Sequence, residues 1–171
     1  MKKLQFITVY LEELCFGIDV FLIREVNRAQ DITTVALAPD YVSGVMNLRG
    51  QIITVIDPGV KLGMEARNLA QETRCVVLKS NTELANSNFE DDTLKTSDDQ
   101  VALLFDSMGD LITVDEDQIE LPPANVGAVE RELIEGVVQH GNELVILLKI
   151  NDLLQLETKY EHGPQSRGQQ S

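Results

Sequence analysis

The apolar positions fall in short runs bounded by polar or turn-forming residues, and most of these runs read as strands. Leu4 to Leu11 and Leu14 to Ile18 are rich in β-branched and aromatic residues and are joined by Glu12-Glu13. Val20 to Arg28 predicts a short helix, with Asp19 as its N-cap and Ile23, Val26 and Asn27 at helical spacing. Ile32 to Val35 predicts a strand, and Pro39-Asp40 begins a turn. Gly44 to Leu48 and Gln51 to Ile56 predict two strands split by Arg49-Gly50. Asp57 to Leu62 follows as a short helix that tolerates Pro58 only in its first turn. Cys75 to Lys79 and Leu111 to Val114 are further strands, and the unbroken apolar run Val101 to Phe105 predicts a buried one. Ile134 to His140 and Glu143 to Leu148 form a hairpin around Gly141-Asn142, and Asp152 to Glu157 a terminal helix. Residues 80–100 are polar, acidic and aperiodic, which predicts a long exposed loop or a disordered insertion; residues 158–171 predict a disordered tail.

The chain repeats itself. Residues 42–62 slide onto 134–154 without gaps: Gly44 meets Gly136, Val45 meets Val137, Ile53 meets Val145, Ile56 meets Leu148 and Leu62 meets Leu154. Cys15 to Asp19 can be laid on Ala102 to Asp106, and more weakly Gln5 to Val9 on Arg74 to Leu78. Two similar β-rich halves follow. Short strands and tight turns suggest small barrels, since closure removes exposed sheet edges. The repeat predicts lobes of about 15–70 and 71–150 within a domain of residues 1–157, with the terminal segments as candidates to cross between lobes.

Composition narrows the function. The 171 residues carry a net charge of −14, which argues against nucleic acid and against an anionic membrane surface. Residues 81–120 alone hold 12 acidic residues and one basic, so the acidity is local and reads as a solvated embellishment, with any interface elsewhere. No apolar run is long enough to span a bilayer, and Cys15 and Cys75 read as buried reduced thiols of a cytoplasmic protein. Candidate chemistry is sparse. There is no phosphate-binding glycine loop, no nucleophile elbow and no spaced ligand set for a metal, and neither His140 nor His162 has a partner in sequence. No cofactor is predicted. Arg49 stands out, because a bulky residue occupies a turn position that favours Asn, Asp or Gly.

The run Gly44-Val45-Met46-Asn47-Leu48-Arg49-Gly50, followed by Ile52 to Asp57, resembles the signature of CheW-like domains, a bacterial chemotaxis coupling family. Phe16 to Asp19, Ile23 to Val26, Val101 to Asp106, Ile134 to Val137 and Leu144 to Leu154 match in the same order. The resemblance implies an all-β fold with short helices: two five-stranded SH3-like β-barrels packed side by side. It also implies a non-enzymatic, cytoplasmic adaptor at membrane-bound receptor arrays, with no cofactor. Its partners would be the regulatory domain of the CheA histidine kinase and the cytoplasmic tip of methyl-accepting chemotaxis receptors. On matching positions the receptor side includes Ile23, Glu25, Gly44, Val45, Arg49 and Gly50. Departures are Thr54 where the family usually has Pro, Pro58-Gly59 where it has Leu-Arg, Ala102 where Gly is common, Glu12-Glu13 in place of Gly-Asp, and the 80–100 insertion. These admit a second reading, a paralogue serving another chemosensory array such as one controlling pili. A small β-barrel enzyme or ligand-binding module is the remaining alternative.

Overall fold

All five apolar residues of Val101–Phe105 are buried in the computed structural model, which describes residues 2–86, 96–126 and 129–156. Successive strand side chains point to opposite faces, so such a strand needs apolar surroundings on both sides. The architecture supplies them. In chain order the strands are β1 (Lys3–Leu11), β2 (Leu14–Asp19), β3 (Ile23–Arg28), β4 (Val42–Leu48), β5 (Gln51–Ile56), β6 (Arg74–Leu78), β7 (Val101–Phe105), β8 (Ser107–Asp115), β9 (Asn125–Val126), β10 (Val129–Glu130), β11 (Ile134–His140) and β12 (Glu143–Leu148). Among the described residues the short α-helices are α1 (Pro58–Lys61), α2 (Asn81–Ala85) and α3 (Ile150–Gln155).

One five-stranded sheet has the order β11-β12-β2-β1-β8 and the other β3-β6-β7-β5-β4, while β9 and β10 pair separately. Each five-stranded sheet is closed by a bridge from the segment following one edge strand, β3 or β8, to the opposite edge strand, β4 or β11. Thr33 and Val45 exchange two 2.8 Å backbone bonds, and Glu120 and Val137 exchange two of 2.9 Å. Phe6, Cys15, Ile112, Val114, Val138, Val145 and Leu147 fill the first barrel. Met46, Ile53, Val55, Cys75, Val77, Ala102 and Leu104 fill the second. The third and largest core lies between them, with Val9, Phe16, Ile18 and Ile146 from one sheet against Val76, Val101, Leu103 and Phe105 from the other. β7 thus sends Ala102 and Leu104 into a barrel and its other three residues into the shared layer.

The repeat is structural. The hairpin β4–β5 and the hairpin β11–β12 occupy matching residues, each has a register shift just after its first residue, and each is followed at once by a short helix. β5 pairs in parallel with β7, and β12 in parallel with β2. The sheets do not follow the 15–70 and 71–150 lobes, however. The second barrel is continuous from Ile23 to Phe105, whereas the first joins β1 and β2 to β8, β11 and β12. The overlay of Cys15–Asp19 on Ala102–Asp106 is also displaced by two residues. Leu147 faces Gly17 where Val55 faces Ala102, so Gly17 and Ala102 are the counterparts. A slip of two preserves inside–outside alternation and is invisible to hydrophobic pattern.

Three local expectations need correction. The helix expected over Val20 to Arg28 is only a 3-10 turn at Val20–Leu22, capped by Asp19 Oδ1 accepting from Phe21 N at 3.0 Å; the rest is β3. A bulge sets Ile23 opposite Leu78 but Glu25 opposite Val77, so one extra residue turns a period of two into a spacing of three. Ile23 and Val26 therefore both reach the shared core, as they would from a helix. Ile32 to Val35 contributes only the bridge at Thr33. The 80–100 segment begins with α2, whose capping box joins Ser80 and Glu83 and whose Leu84 is buried; residues 87–95 and the expected tail lie outside the described residues.

Buried charge binds the helices to this frame. Lys61, 1% exposed, donates to the carbonyls of Leu153 at 3.2 Å, Leu154 at 2.8 Å and Leu156 at 2.8 Å, satisfying the end of α3, and stands 4.2 Å from the Tyr41 ring centroid. The equivalent glycines 44 and 136 let the closing segments cross. A Cβ on Gly44, at φ +152, would sit 2.2 Å from Thr33 O; on Gly136 it would sit 2.5 Å from Ile119 Cγ2. Gly44→Ala is expected to cost about 2–3 kcal/mol by overpacking against backbone, and Gly136→Ala less, because the Ile119 side chain can rotate away. Urea denaturation checks this; an undiminished midpoint for Gly44→Ala would show that the closing segment can retreat.

Candidate functional site

Arg49 and Gly50 form the β4–β5 turn with φ of 53° and 87°, the pair of positive values that a type I′ turn requires. A left-handed backbone costs a non-glycine residue roughly 1–2 kcal/mol. Asn47 offsets part of this by accepting from Gly50 N at 2.9 Å. In the counterpart turn only Gly141 has positive φ, at 60°, the signature of a type II′ turn. The two hairpins therefore match in strand register and differ in the turn, and the difference aims an arginine outward.

The Arg49 guanidinium donates through Nη2 to Glu25 Oε2 on β3, so the turn of one edge strand is clasped to the strand at the other edge of its sheet. The Arg49 side chain remains 65% exposed. Glu25 also receives Arg24 Nε at 3.4 Å. The Arg49 bond, helped by the weaker influence of Arg24, holds the Glu25 carboxyl below the ordinary value of 4.5 against an opposing effect of burial that is second in size only to that bond. Glu25 is thus a carboxylate at neutral pH with no proton to give. Of the other sequence candidates, Ile23 is half-buried against the shared core, Val45 is half-buried at the Thr33 bridge, and Gly50 is exposed with open space around it. Gly44 is buried, and the closing segment accounts for its missing side chain.

Arg24 was not singled out by the sequence, yet it connects the site to the insertion. Its Nη1 donates to Gln100 Oε1 at 2.8 Å and lies 3.8 Å from Glu83 Oε2. Both described ends of the acidic segment therefore touch Arg24, which in turn touches Glu25 of the Arg49–Glu25 pair. The stem is well tied: Thr96 N donates to Asn81 Oδ1 at 2.8 Å and Asn81 N to Ser97 O at 2.8 Å.

Arg67 is the second omission. Its side chain is 5% exposed and donates to Asp106 at 2.9 Å, Glu12 at 3.0 Å and the Glu65 carbonyl at 3.0 Å; Nε lies 3.9 Å from Asp57 Oδ1, an ion pair without a hydrogen bond. Gly59 makes room for it, since a Cβ there would lie 3.1 Å from Arg67 Nε. Asp57 caps α1 through Gly59 N at 3.0 Å and Val60 N at 3.3 Å, and burial pushes its carboxyl above the ordinary range against those bonds and Arg67.

The exposed guanidinium of Arg49 equips this arrangement for binding. Among the described residues no group of three or more His, Cys, Asp or Glu is placed to hold a metal ion. Both cysteines are free and buried, and burial raises both thiols, Cys75 to about 11, which leaves them protonated and unreactive. The outward donors of Arg49 suit a carboxylate or the carbonyls ending a helix.

Two outcomes follow. A depressed folded pKa means that the Glu25–Arg49 pair stabilises the fold above the unfolded carboxylate value and is lost as pH falls through the lower folded one. A ¹³C NMR titration is expected to give a Glu25 midpoint below 4.5, moved upward by Arg49→Ala. Arg67→Met is expected to cost about 3 kcal/mol or more at neutral pH, as when one partner of a buried pair is removed. The loss shrinks as pH falls through the raised Asp57 value, because the neutral carboxyl no longer needs the cation. Denaturation at both pH values measures it.

The comparisons accord with this geometry. The chain is 28% identical over 152 residues to "Chemotaxis protein CheW" of Treponema pallidum, covering 89% of this chain and 82% of that protein. It is 27% identical over 149 residues to the protein of the same name from Bacillus subtilis, covering 87% and 85%. The crystal structure of scaffolding protein TtCheW from Thermoanaerobacter tengcongensis has the same fold, with a TM-score of 0.73 over 93% of this chain and 92% of that one at 24% identity. The profile of the CheW-like domain matches residues 5–158, and with nearly all of both barrels inside that span the chain belongs to the CheW-like domain family.

Proposed function

We propose that this chain is a non-enzymatic chemotaxis adaptor that couples transmembrane chemoreceptors to the regulatory domain of the CheA histidine kinase. The observation that carries the reading is Arg49, held with positive φ in a turn, paired to Glu25 and still 65% exposed on the segment matching the family signature. Relatives named as chemotaxis CheW proteins and a neighbour titled a scaffolding protein support it. A receptor tip is a helical hairpin, and a helix laid against an apolar surface with one arginine anchor is a standard recognition mode. Ile23 and Val45 supply apolar contact, Gly50 lets a partner backbone approach, and Gly44 serves the site by allowing the barrel to close. No helix among the described residues is long and apolar enough to cross a membrane; the proposed location is the cytoplasm, at receptor arrays.

A paralogue serving a different array, such as one for pilus motility, is the second reading. The contacts of Arg24 with both ends of the insertion favour it, because they add a feature of this chain to the site.

Arg49→Ala is expected to weaken binding of a receptor cytoplasmic fragment about tenfold, or roughly 1.4 kcal/mol. Binding of the kinase regulatory domain is expected to stay as in the wild type, and the thermal melt to fall only by what a partly exposed ion pair contributes, about 1 kcal/mol or less. Pulldown and calorimetry test this: a wild-type chain that binds neither partner defeats the adaptor reading, and a collapsed melt makes Arg49 structural.

A further inference from the structure

We infer that Arg24 is a positioning residue for the Arg49 surface, and that the stem of the 80–100 insertion tunes receptor recognition through it. The inference rests on the adaptor reading and names a determinant within that site. Glu25 sits between two guanidinium groups, one aimed outward from the β4–β5 turn and one held inward. The inner one, Arg24, has a side chain only 18% exposed. A long cation so enclosed must be fixed by its neighbours, and three are present: Glu25 at 3.4 Å, Gln100 at 2.8 Å and Glu83 at 3.8 Å. Glu83 is itself fixed, accepting from Ser80 N at 2.8 Å in the capping box of α2. Gln100 is fixed as well, since its carbonyl accepts from Thr54 N at 3.1 Å.

The connection therefore runs from both ends of the insertion through Arg24 and Glu25 to Arg49. Every link is an ion pair or a hydrogen bond. Arg24 and Arg49 both reach the same oxygen, Oε2 of Glu25. With Gln100 and Glu83 holding Arg24 in place, Glu25 is steadied from its inner side, and the remaining donors of Arg49 keep a single outward direction. When the stem releases Arg24, Glu25 loses that inner contact and Arg49 swings with it. The partner feature that would sense this is an acidic side chain or a helix C-terminus, which needs donors at a fixed place.

The test is a double-mutant cycle on the full chain with a receptor cytoplasmic fragment as probe. Arg24→Gln is expected to weaken binding about threefold to tenfold, within the coupling range of residues in one ion-pair network, and to add little in an Arg49→Ala background. Gln100→Leu, which cuts the anchor and keeps the cation, is expected to act in the same direction. Binding of the kinase regulatory domain should be unchanged, and the melting curves should remain cooperative with at most a modest downward shift. Independently of any partner, Arg24→Gln should raise the Glu25 NMR midpoint, by less than Arg49→Ala does. Unchanged receptor binding in Arg24→Gln overturns the inference, as does an equal loss in the presence and absence of Arg49. A wild-type chain that fails to bind the receptor fragment overturns the adaptor reading instead, and the receptor role of Arg24 with it.

Discussion

Everything in this molecule hangs on the apolar layer between the barrels. A five-stranded barrel of such short strands encloses few side chains, and a small core is a weak one. Here each barrel presents a second apolar face outward, and the two faces bury each other. β2 and β7 carry the arrangement, because both are buried on two sides and each lies beside the parallel strand of its own barrel. The shared layer also fixes how the barrels are oriented. Arg67 reinforces that orientation by joining the β1–β2 turn at Glu12 to Asp57 and Asp106, which lie at the ends of β5 and β7. An adaptor needs such rigidity, since surfaces on different lobes are useful together only at a constant angle.

Much of this was legible in the residues. The gapless match of 42–62 with 134–154 carried over to strands, bulges and helices, because a repeated pattern of side chains demands a repeated pattern of pairing. The unbroken run Val101–Phe105 announced a doubly buried strand. Failures came where the third dimension alters the period or the partner. β3 looked helical because its bulge spaces Ile23 and Val26 by three. The division into lobes was misplaced because similarity between segments does not say which copies share a sheet. Ser80-Asn81-Thr82-Glu83 carried a capping-box signature that the acidic composition obscured.

The site divides in the same way. Arg49 was conspicuous because it broke a turn rule, and its positive φ is the physical form of that breach. Its pairing with Glu25 joins residues that sequence spacing does not connect. Arg24 and Arg67 had little local signal, since the acceptors that fix them in place, Gln100 and Asp106, lie far along the chain. The departure at Pro58-Gly59 turns out to be accommodated: the space that a side chain at 59 would take is occupied by Arg67, reaching back from the following segment. Likewise the acidic excess, which first argued only against polyanionic partners, has its described ends beside the candidate surface.

The interleaving of β1 and β2 with the C-terminal strands bears on how the chain acquires its fold. The barrel that is continuous from Ile23 to Phe105 can close on contacts within that stretch. The other cannot: Cys15 and Phe16 must wait for Val145 and Ile146 before β2 has its parallel neighbour. Such distant pairing is slow, since the loop must be closed before the contact rewards it. During synthesis the earliest strands are therefore the last to be satisfied. The buried face of β2, with Phe16 and Ile18, is the surface left waiting on a nascent chain.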